Sequence, residues 1–370
     1  MSDLTLAQLS MWSLYSAMAV LALALLGYTA YLAGLVPARS AARESARESA
    51  VAEDRELVGA GVGSGVAAGG VGMPSAPDAV ASDGMPSASV GIPGAIGAVG
   101  GKAGAGDSAP SGRAIDIGVP VRARKAAGIG WSLTLLGTVL LTVAVLLRAL
   151  EVHRAPLGNM FEFAISGSMV AMLAYVAWSF RRDLRWLGVF VVAPVLGTLM
   201  LAISVWYVDA AELMPSLKSY WLVIHVSIAV ISTALFGIAA ALSVLYLWQD
   251  RVETAGTRSF MNRLPGARQL EHLSYTVHIM AFPLWTFTVI VGAIWARQAW
   301  GSYWNWDPKE VWSFVIWVAY AAYLHARVTS GWRRQNATLI ALAGFACLII
   351  NYTVVNFFFV GQHSYSGLGR

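Results

Sequence analysis

Apolar runs of about twenty residues recur along the chain, separated by short polar loops. A helix needs about 20 apolar residues to cross a bilayer. Eight stretches qualify: 11–34, 129–150, 161–180, 186–206, 221–248, 276–296, 311–327 and 337–360. None alternates with period two, so a β-barrel is not expected. The pattern predicts an all-α polytopic membrane protein of about eight transmembrane helices. The N-terminus lacks a basic region and a small-residue cleavage site, so the first span reads as a retained helix.

Composition agrees with the pattern. The 370 residues are 57% hydrophobic and only 12% charged, against about 25% charged in soluble domains. That excludes a soluble globular enzyme, because a soluble fold of this size could not hide so much apolar surface. Cys347 is the single cysteine. A disulfide scaffold and a CxxC redox or zinc site are therefore excluded. No phosphate-cradling glycine motif, Ser-His-Asp order or HExxH occurs.

Two residue types are in excess, with 36 Gly and 15 Trp. Of the glycines, 17 fall within 59–118, and no aromatic residue occurs between Leu32 and Gly130. Such a segment buries too little apolar area to offset the entropy of ordering. Three regions follow: a first transmembrane helix over 1–34, a Gly/Ala-rich flexible cytoplasmic linker over 35–127, and a seven-helix domain over 128–370. Residues 41–56 have the composition to extend the first helix.

Orientation follows from Lys and Arg, which collect on the cytoplasmic side. With both termini outside, only Arg148, Arg154, Lys218, Arg297, Lys309 and Arg370 of the 25 basic residues lie on the outer side. The net charge of +5 calls for no nucleic acid.

The tryptophans concentrate in the outer loop between spans six and seven. Residues 300–312 read Trp300-Gly301-Ser302-Tyr303-Trp304-Asn305-Trp306-Asp307-Pro308-Lys309-Glu310-Val311-Trp312. An aromatic belt accounts for one or two tryptophans at a helix end, but not for this density with Asp-Pro-Lys-Glu attached. Asp307 and Pro308 suit the N-cap and first position of the seventh helix. The aromatics form a flat, rigid, apolar surface beside a few charges. That surface suits a large planar apolar ligand with charged edges.

Six histidines complete the inventory. His225 lies one turn into span five and His363 just beyond span eight, both at the membrane level of the tryptophan loop. Two neutral imidazoles at a flat aromatic surface are what six-coordinate haem iron needs. His325 lies about 20 Å deeper along span seven, at 1.5 Å per residue, where it serves either a second, inner site or a hydrogen-bonded core. For His153, His272 and His278 the structural reading is preferred.

These residues resemble the tryptophan-rich "WWD" signature of haem-handling membrane proteins. Flanking segments are similar to the cytochrome c biogenesis family CcsA (also called ResC, and CcsB in actinobacteria). They are Arg154-Ala155-Pro156-Leu157-Gly158-Asn159-Met160-Phe161-Glu162, WLVIHV over 221–226, Tyr323-Leu324-His325-Ala326-Arg327 and Gly361-Gln362-His363-Ser364-Tyr365. The resemblance runs from about Trp131 to the C-terminus, and the long Gly/Ala linker is not part of it.

The resemblance implies the haem lyase (synthase) subunit of System II cytochrome c biogenesis. Such a subunit acts in the bacterial plasma membrane with a ResB-type membrane protein. Haem b, as substrate, would be bound by the aromatic loop residues Trp300, Gly301, Tyr303, Trp304, Trp306 and Trp312. Asp307, Pro308, Lys309 and Glu310 complete that loop. His225 and His363 would ligate iron on the outer face, and His325 would belong to an inner haem site that a partner histidine completes. Catalysis is expected of His225, His363 and Asp307. Apocytochrome c supplies both thiols from its CxxCH motif, since this chain has no outer thiol. Lys309, Arg297 or Arg154 could meet the propionates. Two alternatives stay open: a haem carrier or exporter without lyase activity, and a non-haem transport or structural protein with the loop as interfacial anchor.

Overall fold

The structure, a computed structural model, describes residues 5–62, 120–210, 218–257 and 259–363, with side chains omitted over 36–62. Most of the 35–127 linker, Arg370 and the Ser364-Tyr365 pair lie outside the described residues. Two compact units result, one of Met1–Ser40 with Gly118–Arg370 and one of Ala41–Ile117. Of the second unit, the described part is helical backbone up to Val62.

Nine α-helices occur among the described residues: α1 (Leu6–Val62), α2 (Val121–Glu151), α3 (Met160–Ser179), α4 (Gly188–Ser204), α5 (Tyr220–Ala255), α6 (Ala267–Trp300), α7 (Pro308–Val328), α8 (Arg334–Tyr352) and the short α9 (Val354–Phe358). Eight spans are long and apolar enough to cross a membrane, so the chain is an all-α polytopic membrane protein. Helices prevail because a backbone in hydrocarbon must satisfy its own N–H and C=O groups.

Local chemistry sets where the helices begin and end. The side chains of Asn159, Ser219 and Asp307 accept backbone N–H bonds from Glu162, Trp221 and Lys309 at the starts of α3, α5 and α7. Left-handed glycines end α5 and α6, Gly256 with φ 61° and Gly301 with φ 79°.

Helix α5 packs along α6, α7 along α8, and α3 against α2, α4 and α5. A large apolar core joins α1–α5 and the first turns of α6, with Tyr28 at its polar centre. Its hydroxyl accepts from Thr134 Oγ1 at 3.0 Å and from Tyr175 Oη at 3.3 Å. A second core joins α5–α8, where Phe236 and Tyr320 stack with centroids 3.7 Å apart. At the end of α6–α8 remote from the 300–312 loop, buried Glu271 pairs with Arg334 at 3.2 Å and Arg327 at 3.0 Å. At the loop end, fully buried Glu162 binds Arg154 at 2.7 Å and Arg148 at 3.3 Å. The two clusters tie opposite ends of the bundle.

Candidate functional site: a histidine-flanked aromatic cavity

The 300–312 loop closes one end of a cavity of ≈ 230 Å³. Its walls come from the segment before α3 and the start of α3, from α5, α6, α7, α8 and α9, and from the chain after α9. His225, His363, Tyr303, Trp304, Lys309 and Glu310 all line it.

Each histidine is oriented through its Nδ1. His225 Nδ1 lies 2.9 Å from the carbonyl of Thr288. A carbonyl only accepts, so Nδ1 carries the proton and the Nε2 lone pair of the neutral ring is free. Gly292, one turn along α6 from Thr288, makes the approach possible, since a Cβ there would stand 2.6 Å from His225 Cε1. His363 Nδ1 lies 2.8 Å from Asp307 Oδ1 and donates to that carboxylate, which again leaves Nε2 free. An acceptor on one ring nitrogen is the usual way a ligating histidine is oriented.

Trp295 sits between the two. Its ring stacks on His225 at 6.0 Å and 16° and meets His363 edge-on at 5.8 Å. Trp300 adds a second edge contact to His363 at 4.6 Å. The indole N–H of Trp295 is buried without a hydrogen-bond partner.

Asp307 is wholly engaged. Oδ1 accepts from Lys309 N and His363, and Oδ2 accepts from Gln362 N. With Glu310 it forms a reciprocal capping box at the start of α7. Burial acts to raise the pKa of Asp307, but the hydrogen bond from His363, with those from two backbone N–H groups, outweighs it and holds the carboxyl below its ordinary value. Asp307 therefore fixes the chain after α9 onto the loop.

The remaining loop residues divide. Trp304 meets Trp306 edge-on at 5.9 Å. Trp306 is 77% exposed and holds φ 56°, a region costly for a bulky side chain. Tyr303 is largely exposed beneath the Arg297 guanidinium, 6.0 Å from the ring centroid. Gly301 ends α6 and Pro308 starts α7. Trp306 and Trp312 do not line the cavity.

Of the three cations considered for the propionates, only Lys309 lines the cavity. Arg154 is taken by Glu162 and Arg297 by the Gly301 carbonyl. His325 lies apart from the cavity and is exposed on α7. It shares its face with Phe314, Val318 and Ala322, which are exposed too. His278 is buried, with Nδ1 2.9 Å from the Ser274 carbonyl, and His153 and His272 are exposed.

Sequence reasoning missed Trp295, Thr288, Gly292 and Asn351 as cavity residues. Trp295 reads as an interfacial aromatic at a helix end. Gly292, one turn before it inside an apolar run, was the available signal.

A helical membrane bundle that presents two pre-oriented imidazoles around an indole defines the class: a multi-pass protein with a histidine-flanked aromatic site. The chain belongs to the cytochrome c assembly protein family, whose profile matches residues 132–363. It is 33% identical over 262 residues to cytochrome c biogenesis protein CcsA of Guillardia theta, covering 65% of this chain and 86% of the relative. It is 33% identical over 272 residues to the CcsA protein of Parasynechococcus marenigrum, covering 64% and 86%. With that of Gloeobacter violaceus it shares 31% identity over 284 residues, covering 62% and 84%.

Proposed function

We propose that this protein is the haem-presenting subunit of a System II cytochrome c synthase in the bacterial plasma membrane. It takes part in cytochrome c maturation with a ResB-type partner and apocytochromes carrying CxxCH. The observation that carries this reading is the pair His225 and His363. Each is held by an acceptor on Nδ1, each offers Nε2, and both line one aromatic cavity.

Haem is the substrate, and the residues fit it. His225 and His363 supply the axial nitrogens. Trp295, Trp304 and Tyr303 supply flat apolar contact. Lys309 supplies a cation for a propionate. The chain's own part is orientation. Holding reactants in a fixed geometry converts an encounter into an effectively unimolecular step. The substrate's histidine then replaces one protein histidine and product leaves. Asp307 acts by positioning His363.

The tryptophan loop faces outward under the positive-inside rule. His325, on an exposed face of α7, belongs to a second site near the inner leaflet, completed by the partner. An ionisable side chain facing lipid is costly, which favours a covered face there.

The test is reconstitution of holocytochrome formation with the ResB-type partner. Product is expected only when both chains are present, and product formed without this chain would sink the reading. A haem carrier without lyase activity would give bound haem and no product.

A further inference from the structure

Two acids cap α7, and they differ in what they leave free. Both oxygens of Asp307 are engaged. Glu310 uses only Oε2, which accepts from the backbone N–H groups of Asn305 at 2.8 Å and Asp307 at 3.1 Å. Its Oε1 is buried with no partner, the residue is 8% exposed, and it lines the cavity.

A second such acceptor lies on the same side. Asn351 of α8 lines the cavity at 7% exposure. Its amide nitrogen donates to Ser313 Oγ at 3.3 Å, and its Oδ1 is buried without a partner. Ser313 is one turn beyond Glu310 on α7. This wall thus holds two buried acceptors in want of a donor, which is unfavourable until a ligand supplies one.

Haem does not supply it, because a vinyl edge has no donor and ionised propionates only accept. The other reactant does: a thiol carries S–H and its peptide carries N–H. We propose that Glu310 is the proton carrier of thioether formation, with Asn351 holding the incoming donor beside it. This rests on the synthase reading above.

The step balances. The thiol gives its proton to Glu310 Oε1 as sulfur bonds to the inner vinyl carbon. The π pair of the vinyl group takes that proton from Oε1 at the terminal carbon, which becomes a methyl. Glu310 ends as the carboxylate it began as. The S–H bond and the π bond break, S–C and C–H bonds form, and nothing is oxidised or reduced.

Glu310→Gln separates this role from a structural one. Glutamine serves equally well at the third position of a capping box, so the loop and the cavity keep their shape. The full chain, purified with its ResB-type partner, is assayed for its Soret band and for covalent holocytochrome. The expected result is an unchanged band with product reduced about 100-fold or more, the scale of general acid–base catalysis. Product at the wild-type level from Glu310→Gln overturns the proton role alone. Loss of the Soret band in Glu310→Gln overturns it in favour of a structural part. A wild-type complex with neither band nor product overturns the synthase reading, and this proposal with it.

Discussion

His225 reaches the cavity only because Gly292 has no side chain. Gly292→Val places methyl groups where the imidazole stands and breaks the Nδ1–Thr288 alignment. Haem affinity is expected to fall by about 10-fold or more, the usual scale for losing a partner that orients a ligand, with the helix content unchanged. Spectrophotometric haem titration beside circular dichroism reads both. On the other side of the site, Asp307→Ala removes the acceptor of His363 and the cap of α7 together. Asp307→Asn keeps an oxygen for the Nδ1 proton and loses the charge. Haem dissociation is expected to speed up by about 10–100-fold in Asp307→Ala and by less in Asp307→Asn. Equal rates in the two variants and the wild type would remove Asp307 from the site.

At the scale of elements, the segment before α3 lines the cavity because Glu162 holds it. Glu162 has no exposed surface and accepts from Arg154, Arg148 and the Gly158 N–H. Removing one partner from a buried ion pair costs about 3–5 kcal/mol, because the other charges stay buried unpaired. Glu162→Leu should therefore lower the thermal unfolding temperature in detergent sharply, whereas Glu253→Ala, at an intracavity-remote position near the end of α5, should not match it. The eight spans were legible in sequence because a bilayer demands runs near 20 residues. Their ends were less so. Hydropathy stops α5 at 248 and starts α6 at 276, yet the helices run on to Ala255 and back to Ala267, because Gly256 and Gly266 rather than polarity terminate them. The tryptophan loop and its two histidines were legible from residue type and position. Thr288 was not, since its contribution is a backbone carbonyl. The outward aspect of His325 was not either, because hydropathy does not say which face of an apolar helix finds a neighbour.

For the whole molecule, sidedness is the property on which the chemistry depends. A single cysteine placed at Ser302, in a Cys347→Ala background, should react in intact cells with a membrane-impermeant thiol reagent. One placed at Arg333, between α7 and α8, should react only after permeabilisation. The reverse pattern would turn the molecule over and put the cavity on the cytoplasmic side. The glycine-rich stretch that dominates the composition lies outside the matched family residues.

Absorbance of the purified complex tests most directly whether His225 and His363 hold haem at the tryptophan loop. His325→Ala removes the histidine proposed for the inner site and should leave a Soret band. Adding His225→Ala and His363→Ala to that variant should abolish the band. A band that survives in the triple variant, or one already absent in His325→Ala, would contradict haem ligation by His225 and His363.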